Sequence, residues 1–154
     1  MIILDTNVVS ALMQLHPDPQ VIVWLDNQPA ESIWINSITL FEARYGLALL
    51  PEGQRKKTLQ ERFEELLTQD LQSRVAHFDS SAASLSAELA AKRKASGRAV
   101  DMRDTFIAGI ALARRATLAT RNVKHFDDLT TPVVDPWGDA WRARQGARGQ
   151  DPGT

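Results

Sequence analysis

Short apolar runs alternate along the chain with longer stretches in which apolar residues recur every three or four positions. Residues 1–4, "MIIL", are apolar and β-branched, and "ESIWINS" has the same character around residues 33–35. Two later runs, "ATLAT" at 116–120 and "PVVD" at 132–135, repeat it, with "RVAHFD" near Val75 as a weaker fifth. Each is short enough, and apolar enough on both faces, to predict a buried strand. Helical spacing fills 38–50, 54–67, 80–96 and 101–114, and Pro51 and Gly97 supply stops. Strands alternating with helices predict βαβ units, hence an α/β fold: a three-layer α/β/α sandwich around a central, mainly parallel sheet. Ligands of such sheets collect beyond the carboxyl ends of the strands.

The totals narrow this picture. At 154 residues, 44% hydrophobic and 24% charged, the chain suits one globular domain, expected over residues 1–137. From 138 to 154 it turns polar and Gly-rich, with Trp137 and Trp141 as its last strong anchors, and partial disorder is expected there. No 18-residue apolar stretch and no basic leader are present, so a cytoplasmic protein without membrane insertion is expected. Cysteine is absent, which excludes disulfides and thiolate metal sites. His16, His77 and His125 are too scattered to suggest zinc. The net charge of −1 argues against holding nucleic acid by a strong overall positive field. The local groups of positive charge, Lys92 to Arg103, Arg114 with Arg115, and Arg121 with Lys124, read first as solvated faces.

Candidate chemistry lies in the acids. Asp5 ends the first strand, where it either caps a helix starting near Asn7 or belongs to a site. In "SITLFEARYGLALL", Thr39 and Glu42 have capping-box spacing. Glu42 also shares a stripe with Ile38, Tyr45 and Leu49, and an acid on an inward face needs a partner or a cation. In "VDMRDTFIAGIALARR", Asp101 is a fair N-cap and Asp104 suits the helix dipole, yet Asp104, Ile107, Ala108 and Ala111 share one face that small alanines bring close to the sheet. The strand "ATLAT" then delivers Thr120, Arg121 and Asn122 at its carboxyl end. Convergence on one rim accounts for all of these placements together. Carboxylates about 4 Å apart repel by about 4 kcal/mol per pair at an effective dielectric of roughly 20, and a divalent cation relieves that repulsion. Ligands that are all oxygen select Mg²⁺ or Mn²⁺, which can activate a water against a phosphodiester.

The motifs "MIILDTNVVSALM", "SITLFEARYG", "DTFIAGIALARRATLATRNVKHF" and "VVDPW", in this order and spacing, resemble PIN-domain ribonucleases of the VapC toxin type, nearest the FitB-like branch. The resemblance runs from Met1 to about Trp137. It implies a metal-dependent endoribonuclease that acts as the toxin of a toxin–antitoxin pair, with Mg²⁺ or Mn²⁺ as cofactor. By this resemblance Asp5, Glu42 and Asp104 are metal ligands, and Asn122 takes a fourth catalytic position that is often Asp. Asn offers a neutral carbonyl there, so a second metal would be held more loosely. Thr6 and Thr120 are expected to orient carboxylates or water, Asp101 to add acidity if it is not simply a cap, and Arg121 and Lys124 to contact phosphate. The resemblance further implies RNA as substrate, a VapB-like antitoxin as partner, a homodimer, a hetero-oligomer with the antitoxin, and operator DNA contacted only through it. Trp24, Phe41 and Phe63 are either core residues or walls of the antitoxin groove. Two other readings stand beside this one. The first is a catalytically weak PIN-like module that binds RNA or protein, suggested by Asn122. The second is a phosphoacceptor receiver domain, for which Asp79 in "HFDSS" is a poor match.

Overall fold

The structure is a computed structural model that describes residues 1–138. Apart from Gly138, the expected tail, with Trp141, lies outside the described residues. Five strands form one sheet: β1 (Ile2–Leu4), β2 (Ile33–Asn36), β3 (Val75–Ala76), β4 (Thr117–Ala119) and β5 (Val133–Val134). Every pairing is parallel, and the order is β3-β2-β1-β4-β5. Ile2 lies opposite Ile33 on one side and Thr117 on the other, so β1 is central. Six α-helices connect the strands: α1 (Thr6–Met13), α2 (Pro19–Asp26), α3 (Ser37–Leu49), α4 (Gln54–Glu65), α5 (Ser80–Ala95) and α6 (Met102–Ala113).

The strands are apolar on both faces because both are covered. Side chains alternate across the sheet, so Ile3 and Leu118 enter one core while Leu4 and Ala119 enter the other. The first core holds Ala82 and Leu89 of α5 with Ile107, Ala108, Ile110 and Ala111 of α6. The second holds Val8 and Val9 of α1, Val21 and Trp24 of α2, and Phe63 of α4. The α/β/α sandwich predicted by the alternation is therefore present, and all five expected strands exist within a residue or two of their expected bounds.

Several details differ from the sequence reading. Residues 19–26, outside the expected helical stretches, form α2 with Asp18 as N-cap and Pro19 in its first turn. The helix expected over 54–67 ends as α at Glu65 and continues as a π turn over Leu66–Asp70, which buries Leu66 and Leu67 together. Trp24 and Phe63 are fully buried core residues and form no groove wall. Phe41 is 62% exposed and stacks on Tyr45 with ring centroids 5.7 Å apart. The stripe through Glu42 divides: Ile38 packs against the core and Glu42 is largely covered, while Tyr45 and Leu49 are 56% and 66% exposed. No capping box forms at Thr39. The N-cap of α3 is Asn36, whose Oδ1 accepts from the Thr39 amide, and the Thr39 hydroxyl is free for the site.

Candidate active site

The strand order reverses between β1 and β4, because the chain builds outward from β1 through β2 to β3 before returning to the other side. Such a switch point opens a crevice at the carboxyl ends of the two strands. Asp5 follows β1 directly and Thr120 follows β4 directly. A cleft of about 270 Å³ lies there, lined by Asp5, Thr6, Asn7, Ser10, Glu42, Arg103, Asp104 and Asn122. The end of β1 and α1 supply Asp5, Thr6, Asn7 and Ser10, α3 supplies Glu42, the first turn of α6 supplies Arg103 and Asp104, and the segment after β4 supplies Asn122.

Each acid is held by groups that fix its direction. Asp5 Oδ1 accepts from the Thr6 amide at 2.7 Å, so Asp5 is also the N-cap of α1, and capping and site placement coincide in one side chain. Its Oδ2 accepts from the Thr120 hydroxyl at 2.7 Å and from Asn7 Nδ2 at 3.3 Å. The Thr120 oxygen in turn accepts from Asn7 Nδ2 and from the Asn122 amide. On the other side a chain of bonds reaches Glu42. Asn36 Nδ2 donates to the Thr39 oxygen, which leaves the Thr39 proton for the Thr6 oxygen, and Thr6 donates to Glu42 Oε1; each step is 3.0 Å. Asp104 receives its backbone support from Asp101, the N-cap of α6, whose Oδ1 accepts the Asp104 amide at 3.0 Å. Asp104 Oδ2 meets His125 Nδ1 at 3.0 Å.

Burial dominates the electrostatics. Asp5 is only 4% exposed, and desolvation pushes its carboxyl above the ordinary range. The bonds from Thr120 and Thr6 lower it in part, while the negative charges of Asp104 and Glu42 raise it further. A partly dry carboxylate facing two others is a place where a cation is favoured. The donors of these acids are hard oxygens, which suits Mg²⁺ or Mn²⁺ in kind. They are not drawn together into a finished cage: among the described residues no group of three or more His, Asp or Glu side chains has metal-binding spacing. The expectation of three carboxylates packed about one point is corrected to that extent. Two of the acids already have partners: Arg103 Nη1 donates to Glu42 Oε2 at 3.2 Å, and His125 Nδ1 meets Asp104 Oδ2 at 3.0 Å.

The expected site residues therefore divide. Asp5, Thr6, Glu42, Asp104 and Asn122 line the cleft, and Thr120 bonds directly to Asp5. Asp101 acts as a helix cap outside the lining set. Arg121 stands beside the cleft, its amide on Asn7 Oδ1 and its guanidinium 5.0 Å from the Trp137 ring centre. Lys124 lies in a 3₁₀ turn over Val123–Phe126 and offers its carbonyl to Arg98. Neither basic residue lines the cleft. Asp79, the alternative phosphoacceptor, caps α5 by accepting from the Ala82 amide, and that bond lowers its pKa. Asn7, Ser10 and Arg103 also line the cleft, and His125 joins it through Asp104, beyond the expected set. Asn7 stood in plain view beside Asp5, but no periodicity signals the partnership of His125 with an acid 21 residues away.

A family model described as PIN domain matches residues 2–130. The chain belongs to the PIN-domain family. Among relatives of this PIN-domain chain, the plasmid stability protein StbB of Pseudomonas syringae pv. tomato is 42% identical over 137 residues, covering 89% of this chain and 99% of the relative. The VapC ribonuclease Y4jK of Sinorhizobium fredii is 38% identical over 140 residues, covering 91% and 100%. Toxin FitB of Neisseria gonorrhoeae is 34% identical over 139 residues, covering 90% and 100%. A chain in the structure of FitAB bound to a DNA fragment superposes with a TM-score of 0.81 at 34% identity, covering 90% of this chain and 96% of that one. Among the described residues no helix of this PIN-domain chain is long and apolar enough to cross a membrane.

Proposed function

We propose that this PIN-domain protein is a cytoplasmic endoribonuclease, dependent on Mg²⁺ or Mn²⁺, and the toxin of a toxin–antitoxin pair. One observation carries the reading: Asp5, Glu42 and Asp104, from three distant segments, line one cleft with Asn122 at the switch point of the sheet. The relatives named ribonuclease and toxin at 38% and 34% identity support the same class of activity. Asp5, Glu42 and Asp104 would hold the ion, which would orient a water, lower its pKa and neutralise charge on the phosphate. Thr120 and the Thr6 amide hold Asp5 in one orientation, and the Thr39–Thr6 relay does the same for Glu42. Asn122 contributes a neutral amide on the rim, and Arg121 and Lys124 lie outside the cleft where flanking phosphates would pass.

A second groove of about 190 Å³ shares Thr6, Ser10 and Glu42 with the cleft and continues past Met13, Leu47, Leu50 and Leu59. Its apolar walls, running into an acidic end, suit a segment of a VapB-like antitoxin with a basic residue at its tip. Operator DNA is then contacted by the antitoxin, and the toxin assembles as a homodimer within the hetero-oligomer. The test is RNA cleavage by the purified chain, freed of partner, with Mg²⁺, with Mn²⁺ and with chelator. Cleavage should require metal and should vanish in Asp104→Asn, which keeps the fold; chelator-resistant cleavage, or an active Asp104→Asn, overturns the reading.

A further inference from the structure

Among the described residues that line the cleft, Arg103 alone carries a positive charge. It precedes Asp104 in the first turn of α6 and crosses to α3, where its Nη1 meets Glu42 Oε2 at 3.2 Å. This contact decides what Glu42 can do. Thr6 already holds Oε1, so with Arg103 in place both carboxylate oxygens are engaged. While that pair stands, a cation approaching Glu42 meets a carboxylate whose charge Arg103 already offsets.

The pair is built to open. The Arg103 side chain is 66% exposed while that of Glu42 is 17% exposed, so the guanidinium sits on the solvent side of the acid. It touches Glu42 through one nitrogen only, which leaves most of its five N–H donors unspent. An ion pair this exposed is worth at most about 1 kcal/mol. Glu42 is the fixed member, tied through Thr6 and Thr39 back to Asn36, so it is Arg103 that swings. A released guanidinium at the mouth of an acidic cleft has one natural partner, a phosphate oxygen, whose geometry it matches bidentately.

We propose that Arg103 serves two states of this cleft: it neutralises Glu42 while no cation is bound, and once a cation takes its place beside Glu42 Oε2 it moves to a non-bridging oxygen of the incoming RNA phosphate. The second half rests on the nuclease reading; the first half stands without it. Arg103 is then a latch on the acid and a substrate-contacting residue in turn.

The experiment compares wild type with Arg103→Gln and Arg103→Lys, both exposed changes that leave the core untouched. Mn²⁺ affinity is read by paramagnetic resonance. RNA affinity is read in the Asp104→Asn background, which prevents turnover, over a series of salt concentrations. Arg103→Gln should bind Mn²⁺ about fivefold more tightly, the factor equivalent to a lost competing pair of about 1 kcal/mol. In the same background it should bind RNA about tenfold more weakly and lower the salt slope by about one, as loss of one phosphate contact requires. Arg103→Lys should restore the salt slope and much of the RNA affinity. Unchanged or weaker Mn²⁺ binding by Arg103→Gln overturns the latch, and an unchanged RNA affinity and salt slope overturn the phosphate contact. A wild type that binds Mn²⁺ yet neither binds nor cuts RNA refutes the nuclease reading and the phosphate contact with it, while the Mn²⁺ comparison still decides the latch.

Discussion

Replacing Arg93 by methionine tests how the last turn of the site is held. Arg93 projects from the end of α5 and is 3% exposed. Its Nε and Nη2 meet Asp128 Oδ2 and Oδ1 at 2.8 and 2.9 Å, a bidentate pair, and Nη2 also donates to the His125 carbonyl at 3.0 Å. These bonds tie α5 to the 3₁₀ turn that follows Asn122 and carries His125 to Asp104. Removing one partner of a fully buried pair costs about 3–5 kcal/mol, because the other charge is stranded. Asp128 is 28% exposed and keeps Arg98 at 3.7 Å, so the lower range of about 2–3 kcal/mol applies here. For a chain of this length each kcal/mol moves the melting midpoint by about 2–4 °C, so a fall of about 4–12 °C is expected at neutral pH.

The pH dependence sharpens the test. Arg93 holds the Asp128 carboxyl below its ordinary value of 3.8, chiefly through their hydrogen bond. A carboxylate with a depressed folded-state pKa adds stability above its unfolded value, and that contribution is lost as pH falls through the folded value. The gap between wild type and Arg93→Met, followed by circular dichroism on heating, should therefore be full at neutral pH and shrink below about pH 4. Arg93→Lys should recover little, since an ammonium cannot form the bidentate pair. A midpoint shift below about 2 °C at neutral pH, or a gap that widens on acidification, would refute this account of the brace.

Two further outcomes are expected. Thr120→Val removes the hydroxyl that donates to Asp5 Oδ2 at 2.7 Å, and metal-dependent RNA cleavage should fall by about 10–100-fold with the fold intact; full activity would show that Asp5 needs no such support. Gly109→Ala would place a methyl group against Ser86 Oγ and 2.6 Å from the Ala82 carbonyl, where α5 and α6 are in closest contact, so unfolding in urea should show a loss of about 1–3 kcal/mol, and an unchanged midpoint would mean that the helices separate freely.

Much of this was legible in the chain itself. Strands with apolar residues on both faces need cover on both sides, so residues 1–4, 33–35 and 116–120 already implied a three-layer parallel sheet. Asp5 stood at a strand end and Asp104 in a first turn, where that architecture puts ligands, while Glu42 lies one turn further into its helix. Glu42 does line the cleft, but Tyr45 and Leu49 of its stripe face outward, and an outward apolar stripe has the same period as an inward one.

The sequence by itself determined what depends on neighbours along the chain: alternation, helical spacing, caps such as Asp101 and Asp79, and the oxygen-only chemistry of the acids. Tertiary structure alone decided which polar groups meet. Glu42 and Arg103 are 61 residues apart, Asp5 and Thr120 are 115 apart, and Arg93 and Asp128 are 35 apart. No local period records such pairs. They exist because β1 and β4 are adjacent at the reversal of strand order, and because α5 and α6 pack closely enough through Gly109 to fix where the first turn of α6 points.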